Sequence, residues 1–276
     1  MKKIVCILSF LSFATLTTTM AQDFTMPAPS PKATITQQFS TSKVELEYSR
    51  PSTKGRKVFG EMIPFGKPWR TGANAITKIT FEEETFFGDQ KVAPGTYALY
   101  SIPNRESWTV LLNKNHKSSG LNDIKSENDI VKTEIRITPI RETCETFTID
   151  FNNITNTSAT LDIVWENTKV SVPIRVDNQK RILEYLDKEL KGKNPPYSNA
   201  SFYYAEIGKY EDALKYADKF LADNPKAFWV LTHKANVYKK MGKDKEASTE
   251  AKKVLELVKG TDWEHEYSKK LEGIIK

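Results

Sequence analysis

The sequence predicts a mixed, two-part chain: an antiparallel β-sandwich, or barrel-like, domain followed by an all-α array of helical repeats. Three observations predict it. From Ala33 to Val176 the chain alternates apolar and polar residues, rich in β-branched and aromatic side chains, with no helical period between the runs. From Asp177 onward Ala, Leu, Lys and Glu dominate. That second region also matches itself at a shift of 34 residues, the period of a helix-turn-helix repeat. The 276 residues are 39% hydrophobic and 28% charged, which excludes a fibrous or wholly disordered chain. No apolar run reaches the ~20 residues of a membrane-spanning helix.

Residues 1–21 read as a cleaved signal peptide. Lys2 and Lys3 precede the mostly apolar Ile4–Leu16, and Thr17 to Ala21 are small or uncharged. Gln22 follows the cut where a lipoprotein needs Cys, so the mature protein is expected to be soluble, periplasmic or extracellular, with no transmembrane segment. Cys6 leaves with the leader. Cys144 then stands alone between acids that disfavour its thiolate, and it reads as inert.

Residues 22–177 form the expected β domain. Strands read at Ala33–Phe39, Lys43–Tyr48, Ile76–Phe81, Tyr97–Ile102, Trp108–Leu112, Val131–Thr138, Thr146–Phe151, Ala159–Trp165 and Lys169–Val176. Ser40-Thr41-Ser42, Asp89 and Pro94-Gly95 supply turns. In the second strand Val44, Leu46 and Tyr48 point one way and Glu45 and Glu47 the other. The Glu82-Glu83-Glu84 run reads as a solvated strand end.

Residues 178–276 form the helical region. At the 34-residue shift Tyr204 aligns with Tyr238, Gly208 with Gly242, Ala213 with Ala247, Ala217 with Ala251 and Trp229 with Trp263. Gly208 and Gly242 end the first helix of each pair, the alanines allow close helix approach, and Pro225 breaks the chain. The motif Ala205-x-x-Gly208-x-Tyr210-x-x-Ala213…Pro225 resembles the tetratricopeptide repeat family, with Asp244 where a second Tyr would stand. Two copies are few, so Gln179–Leu190 and Asp262–Ile275 are expected to flank them as helices. The resemblance implies a polypeptide partner on the repeats. A plain helical support is the competing reading.

The net charge of +6 is unevenly placed. The leader holds two of it, residues 22–177 carry nineteen charges of each sign, and the helical region holds the rest among interleaved acids. Nucleic-acid binding, which needs a basic stripe on one face, is not expected. One stretch departs from neutrality. Arg50, Lys54, Arg56, Lys57, Lys67 and Arg70 face only Glu61, among Phe59, Phe65 and Trp69. Its prolines and glycines make it a long loop; such loops inside compact domains are usually functional or disordered, and its aromatics argue against disorder. Its guanidinium groups suit a bidentate clamp on a carboxylate or phosphate, and Trp69 suits stacking on a sugar or apolar ring. Arg50, Lys54, Arg56, Trp69, Arg70 and Asn74 are thus the expected contacts for a small anionic or sugar-like ligand. Alternatively the aromatics plug the sandwich and the arginines pair with Glu45, Glu47 or the Glu82–Glu84 run.

The same loop carries a second resemblance. Tyr48-Ser49-Arg50-Pro51-Ser52-x-Lys54-Gly55-Arg56-Lys57-x-Phe59-Gly60, Pro64-x-Gly66-Lys67-x-Trp69-Arg70-Thr71-Gly72-Ala73-Asn74, Pro94-Gly95-Thr96-Tyr97 and Trp108-Thr109-Val110-x-Leu112-Asn113-Lys114 are similar to the bacterial family called domain of unknown function 2911, over about residues 28–176. That family implies an exported protein and no particular reaction, cofactor or metal.

Catalytic templates fit poorly. His116, His233 and His265 lack metal-ligand spacing, and no His-Glu-x-x-His or Cys pair occurs. Ser40-x-x-Lys43 falls in a hairpin turn, and Gly60…Gly66-Lys67 lacks the spacing and helix of a phosphate loop. Asn122 to Asp129 lacks the turn glycine of a calcium loop. The leading expectation is therefore a ligand-binding or protein-interaction module. The alternative is an envelope hydrolase at the same loop, with Glu61 or Glu82 as base.

Overall fold

The computed structural model describes residues 26–275. The predicted leader lies outside the described residues. One compact unit ends at Val176 and a second begins at Asp177.

Among the described residues, the first unit holds two antiparallel sheets. In spatial order, one sheet holds β1 (Lys32–Phe39), β2 (Ser42–Ser49), β3 (Thr77–Phe81), β6 (Gly95–Pro103), β7 (Ser107–Asn113) and β8 (Asp129–Arg136). The other holds β4 (Thr85–Phe87), β5 (Gln90–Val92), β9 (Thr138–Asn152) and β10 (Ser158–Arg175), in the order β5-β4-β10-β9. Alternation selects the inner faces. Val44, Leu46 and Tyr48 of β2 are buried. Glu47 faces outward between Lys32 and Lys78, at 2.7 and 3.5 Å, and these two ammonium groups, Lys32 foremost, hold its carboxyl below the usual range against the opposing effect of burial. Leu99, Trp108 and Leu112 from the first sheet meet Phe147, Ile149, Leu161 and Ile163 from the second in one core.

β10 covers two of the expected strands, and it is folded back on itself. Its 18 residues, fully extended, would span about 60 Å at ~3.3 Å per residue. Instead the Val176 N–H donates to Thr157 O at 2.9 Å, and Lys169 Nζ lies 2.6 Å from Asp162. The reversal falls at Glu166, whose φ is 49°, beside Asn167. The first arm pairs with β9, which also reaches Thr168 and Lys169, and the end of the second arm pairs with β4.

The hairpin of β4 and β5 was not among the expected strands, because three-residue strands carry too little alternation to read. It draws the preceding acids into order. Glu82 and Glu84 are exposed beside Lys43 and Lys91. Glu83 corrects the reading of the run as solvated: it is 5% exposed and accepts a hydrogen bond from Ser42 Oγ at 3.0 Å.

Among the described residues, the second unit holds six helices: α1 (Gln179–Glu189), α2 (Tyr197–Glu206), α3 (Tyr210–Asp223), α4 (Phe228–Lys240), α5 (Asp244–Val258) and α6 (Glu264–Leu271). The repeat is visible in its hydrogen bonds. Lys209 N donates to Tyr204 O at 2.8 Å, and 34 residues later Lys243 N donates to Tyr238 O at 2.9 Å. Gly208 and Gly242 sit in these turns at φ 78° and 72°, where a side chain would be strained. Ala213, Ala217, Ala247 and Ala251 are fully buried, which lets the paired helices approach. Asp244 opens α5, where a carboxylate suits the helix N-terminus. Lys234 of α4 joins Asp218 of α3 at 2.6 Å and Glu250 of α5 at 3.3 Å. α6 is shorter than the expected Asp262–Ile275, since residues 261–263 form a turn before it and Gly273 follows it.

Candidate functional site

The Arg50–Asn74 loop links β2 to β3 and touches both sheets on the way. Near its start Ser52 pairs with Thr146 of β9, and near its end Trp69 pairs with Ser101 of β6. β9 is an edge strand, and a bare edge presents unpaired N–H and C=O groups. The loop supplies their partners. Thr53 N donates to Glu145 O at 2.9 Å, and Phe147 N donates to Pro51 O at 2.8 Å. Arg50 Nε donates to Phe147 O at 3.1 Å, with its Nη2 on Thr148 Oγ1 at 2.8 Å. The Tyr48 hydroxyl donates to Ile149 O and accepts from Ile149 N, at 3.1 and 3.0 Å.

Carboxylates tie down the next turn. Glu145 accepts from the Thr53 hydroxyl and from Lys54 N. Those two bonds, with the Arg56 charge nearby, hold its carboxyl below the ordinary glutamate value. Lys54 is exposed at φ 51°. Arg56 is also exposed, and its guanidinium folds onto the carbonyls of Thr53 and Ser52, at 2.9 and 3.0 Å. Glu166 receives Val58 N at 2.8 Å and Phe59 N at 3.3 Å.

These anchors deliver Phe59 and Trp69 into the core. Trp69 is 8% exposed. Its ring stacks on Trp165 at 5.9 Å and meets Phe147, Trp108 and Phe59 edgewise, at 5.1, 5.8 and 6.0 Å. The indole N–H donates to Gly72 O at 3.0 Å. Trp69 therefore spends its faces on neighbouring aromatics, not on a bound ring. Arg50, Arg56 and Arg70 bind backbone carbonyls and Thr148.

A family model matches residues 30–174, more than half of the chain. The chain belongs to the family described as Protein of unknown function (DUF2911). No curated protein and no solved structure matches it. The motif that opens the loop of this DUF2911 member is thus an edge cover for β9, built from Tyr48, Arg50, Pro51 and Thr53.

At the far end of the DUF2911 loop the polar side chains turn outward. Beyond β3, the Trp69 segment takes over as neighbour of β6, exchanging N–H and C=O bonds with Ser101 at 2.7 and 2.9 Å. Trp69 points into the core, so Pro68 and Arg70 lie on the opposite face, with Tyr100. Arg70 donates to Asn74 O. Asn74, at φ 57°, donates from Nδ2 to Ser30 O at 3.1 Å. Arg70 and Asn74 are brought together; Arg50, Lys54 and Arg56 belong to the β9 end.

That outer face carries a second apolar cluster of Ile76, Ala98, Tyr100 and Leu111, against which Leu121 and Ile124 pack. Pro68, Tyr100, Leu121, Ile124 and Ser126 line a cavity of about 430 Å³ there. The Tyr100 hydroxyl donates to Asp129 Oδ2 at 2.7 Å, and Asn113 Nδ2 donates to Asp129 Oδ1 at 2.7 Å. Burial, reinforced by the Asp129 carboxylate, pushes the Tyr100 hydroxyl far up, so it stays a donor. Tyr100, Leu121 and Ile124 were missed as site residues: Tyr100 reads as ordinary strand alternation. The only signal was the pair of apolar residues in the otherwise polar 114–128 segment.

Of the other groups singled out, His116 Nδ1 lies 3.2 Å from Lys114 O. Cys144 is partly exposed in β9, with its thiol on Thr146 O. Among the described residues no three His, Cys, Asp or Glu side chains are grouped to hold a metal ion, and no helix is long and apolar enough to cross a membrane. In the helical unit, aromatic side chains line the layer formed by α2, α4 and α6. Phe202 stacks on His233 at 3.9 Å, and Phe228 meets Trp229 and Trp263 at 5.5 and 6.1 Å.

Proposed function

We propose that this DUF2911 member is an exported interaction protein whose helical unit binds a polypeptide segment. The observation that carries the reading is the exposure of Phe202, Trp229 and Trp263, at 43%, 47% and 49%. Trp229 and Trp263 occupy equivalent repeat positions, so the exposed aromatic recurs with the period. Half-exposed tryptophans are costly to leave in water, and aromatic side chains are enriched where proteins meet. Export rests on the leader-like residues 1–21. The ligand reading of the Arg50–Asn74 loop narrows to its Arg70 end. No observation favours the hydrolase alternative.

The test is affinity capture from the native envelope with the wild-type chain and with Trp229→Ser/Trp263→Ser, followed by titration of the purified captured polypeptide. The reading expects one reproducible partner whose affinity falls at least tenfold in the double variant, with far-UV circular dichroism unchanged. An equally tight complex with the double variant would reject it.

A further inference from the structure

The cavity over Tyr100 has the attributes of a small-molecule site. Its volume of about 430 Å³ lies within the ~300–1,000 Å³ typical of ligand pockets. Pro68, Leu121 and Ile124 give it apolar walls, while Ser126 and Tyr100 each bring a hydroxyl. Its floor is held by the Tyr100–Asp129–Asn113 hydrogen bonds, and Asn113 Nδ2 also reaches Lys125 O at 2.9 Å. The floor and one wall are thereby fixed to each other.

Charge selects the ligand. The two segments that wall the cavity carry Lys67, Arg70, Lys114, Lys117 and Lys125 against Asp123 and Glu127, while the floor carboxylate Asp129 is engaged by Tyr100 and Asn113. Arg70 lies two residues from the wall residue Pro68, on the same face. A carbon placed on Gly120, which precedes the wall residue Leu121, would be 3.7 Å from Arg70 Nη1 and 3.9 Å from Nη2. The guanidinium therefore stands at the edge of the cavity. It has five N–H donors, of which the Asn74 carbonyl engages one of those on Nη1. A cation beside apolar walls complements a molecule with an apolar body and a negative end.

We propose that this cavity binds a small amphiphilic organic anion, an apolar ring or short chain ending in a carboxylate or sulfonate. The body rests on Pro68, Leu121 and Ile124, and the anionic end is held by Arg70. The site is independent of the polypeptide surface proposed for the helical unit.

The experiment uses the purified full chain and two fluorescent probes that share one ring system. One is 1-anilinonaphthalene-8-sulfonate and the other is its uncharged analogue N-phenyl-1-naphthylamine. The expected result is saturable binding of the sulfonate at least tenfold tighter than the analogue. Arg70→Gln should weaken the sulfonate about tenfold and leave the analogue unchanged. Ser126→Trp, which fills the cavity, should abolish both at an unchanged melting temperature. Ile124→Trp serves the same purpose if Ser126→Trp does not fold. Amide shifts on titration should centre on residues 100 and 121–126. No saturable binding, equal loss of both probes in Arg70→Gln, or full binding by the folded tryptophan variant overturns the proposal.

Discussion

Trp69→Ala separates the two roles that a tryptophan in a cationic loop can have. A core tryptophan buries ~150–250 Å². At ~25 cal/mol per Å², losing about 200 Å² costs about 5 kcal/mol. Core Trp→Ala substitutions generally cost ~3–5 kcal/mol once partial relaxation is included. Trp69 has four aromatic neighbours within 6.0 Å, centroid to centroid, and an indole hydrogen bond to Gly72 O, which places it in that range. With a urea slope of about 2 kcal/mol/M, the midpoint of the β unit should fall by about 2 M. Fluorescence of the core residues Trp108 and Trp165 reports that transition, and far-UV circular dichroism follows the helices separately. Trp69→Phe keeps a ring and loses the N–H donor, so it should cost less, about 1–2 kcal/mol. A midpoint within ~0.3 M of wild type for Trp69→Ala would refute the core role, since surface substitutions stay within about 0.5 kcal/mol.

Two further outcomes concern the helical unit. Lys234→Met leaves the nearly buried Glu250 without its interhelical partner and should destabilise the unit by roughly 2–3 kcal/mol, below the ~3–5 of a fully buried pair because Lys253 also reaches Glu250 at 3.1 Å. Lys234→Met/Glu250→Leu should recover most of that loss in the same thermal or urea measurement; no recovery would refute the charge argument. Burial, with the Lys240 charge adding to it and a hydrogen bond to Ser201 opposing, holds the His233 imidazole below its ordinary value. The unfolded chain takes up that proton near pH ~6.5 while the folded chain resists it, so this contribution is complete above ~6.5 and declines as pH falls. His233→Phe should flatten the drop in melting temperature between about pH 7.5 and 5.5. An unchanged slope would show that another group carries it.

Much of the fold was legible because its signals are local. The nine expected strands recur, with Ala159–Trp165 and Lys169–Val176 as the two arms of β10. The helical turns recur at Gly208 and Gly242. The β4–β5 hairpin was not legible, because three residues do not establish a period. The candidate site was legible as a place and not as a set of roles. Charge and aromatic content pointed to residues 50–74, yet the partners of Arg50 and Tyr48 lie 97 and 101 residues away. Arg70 and Asn74 come together four residues apart, but the cavity beside them needs Tyr100 and Leu121 from other elements.

Periods of two and 3.6 residues, the 34-residue repeat and the punctuating glycines are written along the chain, and they suffice for a β domain followed by helical repeats. Which edge the loop covers, which aromatic is enclosed and which cation stands at a cavity depend on contacts between distant residues. Those contacts arise when β9 needs partners for its outer N–H and C=O groups and when the sandwich needs its end filled. Tertiary packing thus turned a cationic-aromatic loop into an edge cover and a core plug, and left Arg70 at the rim of the Tyr100 cavity.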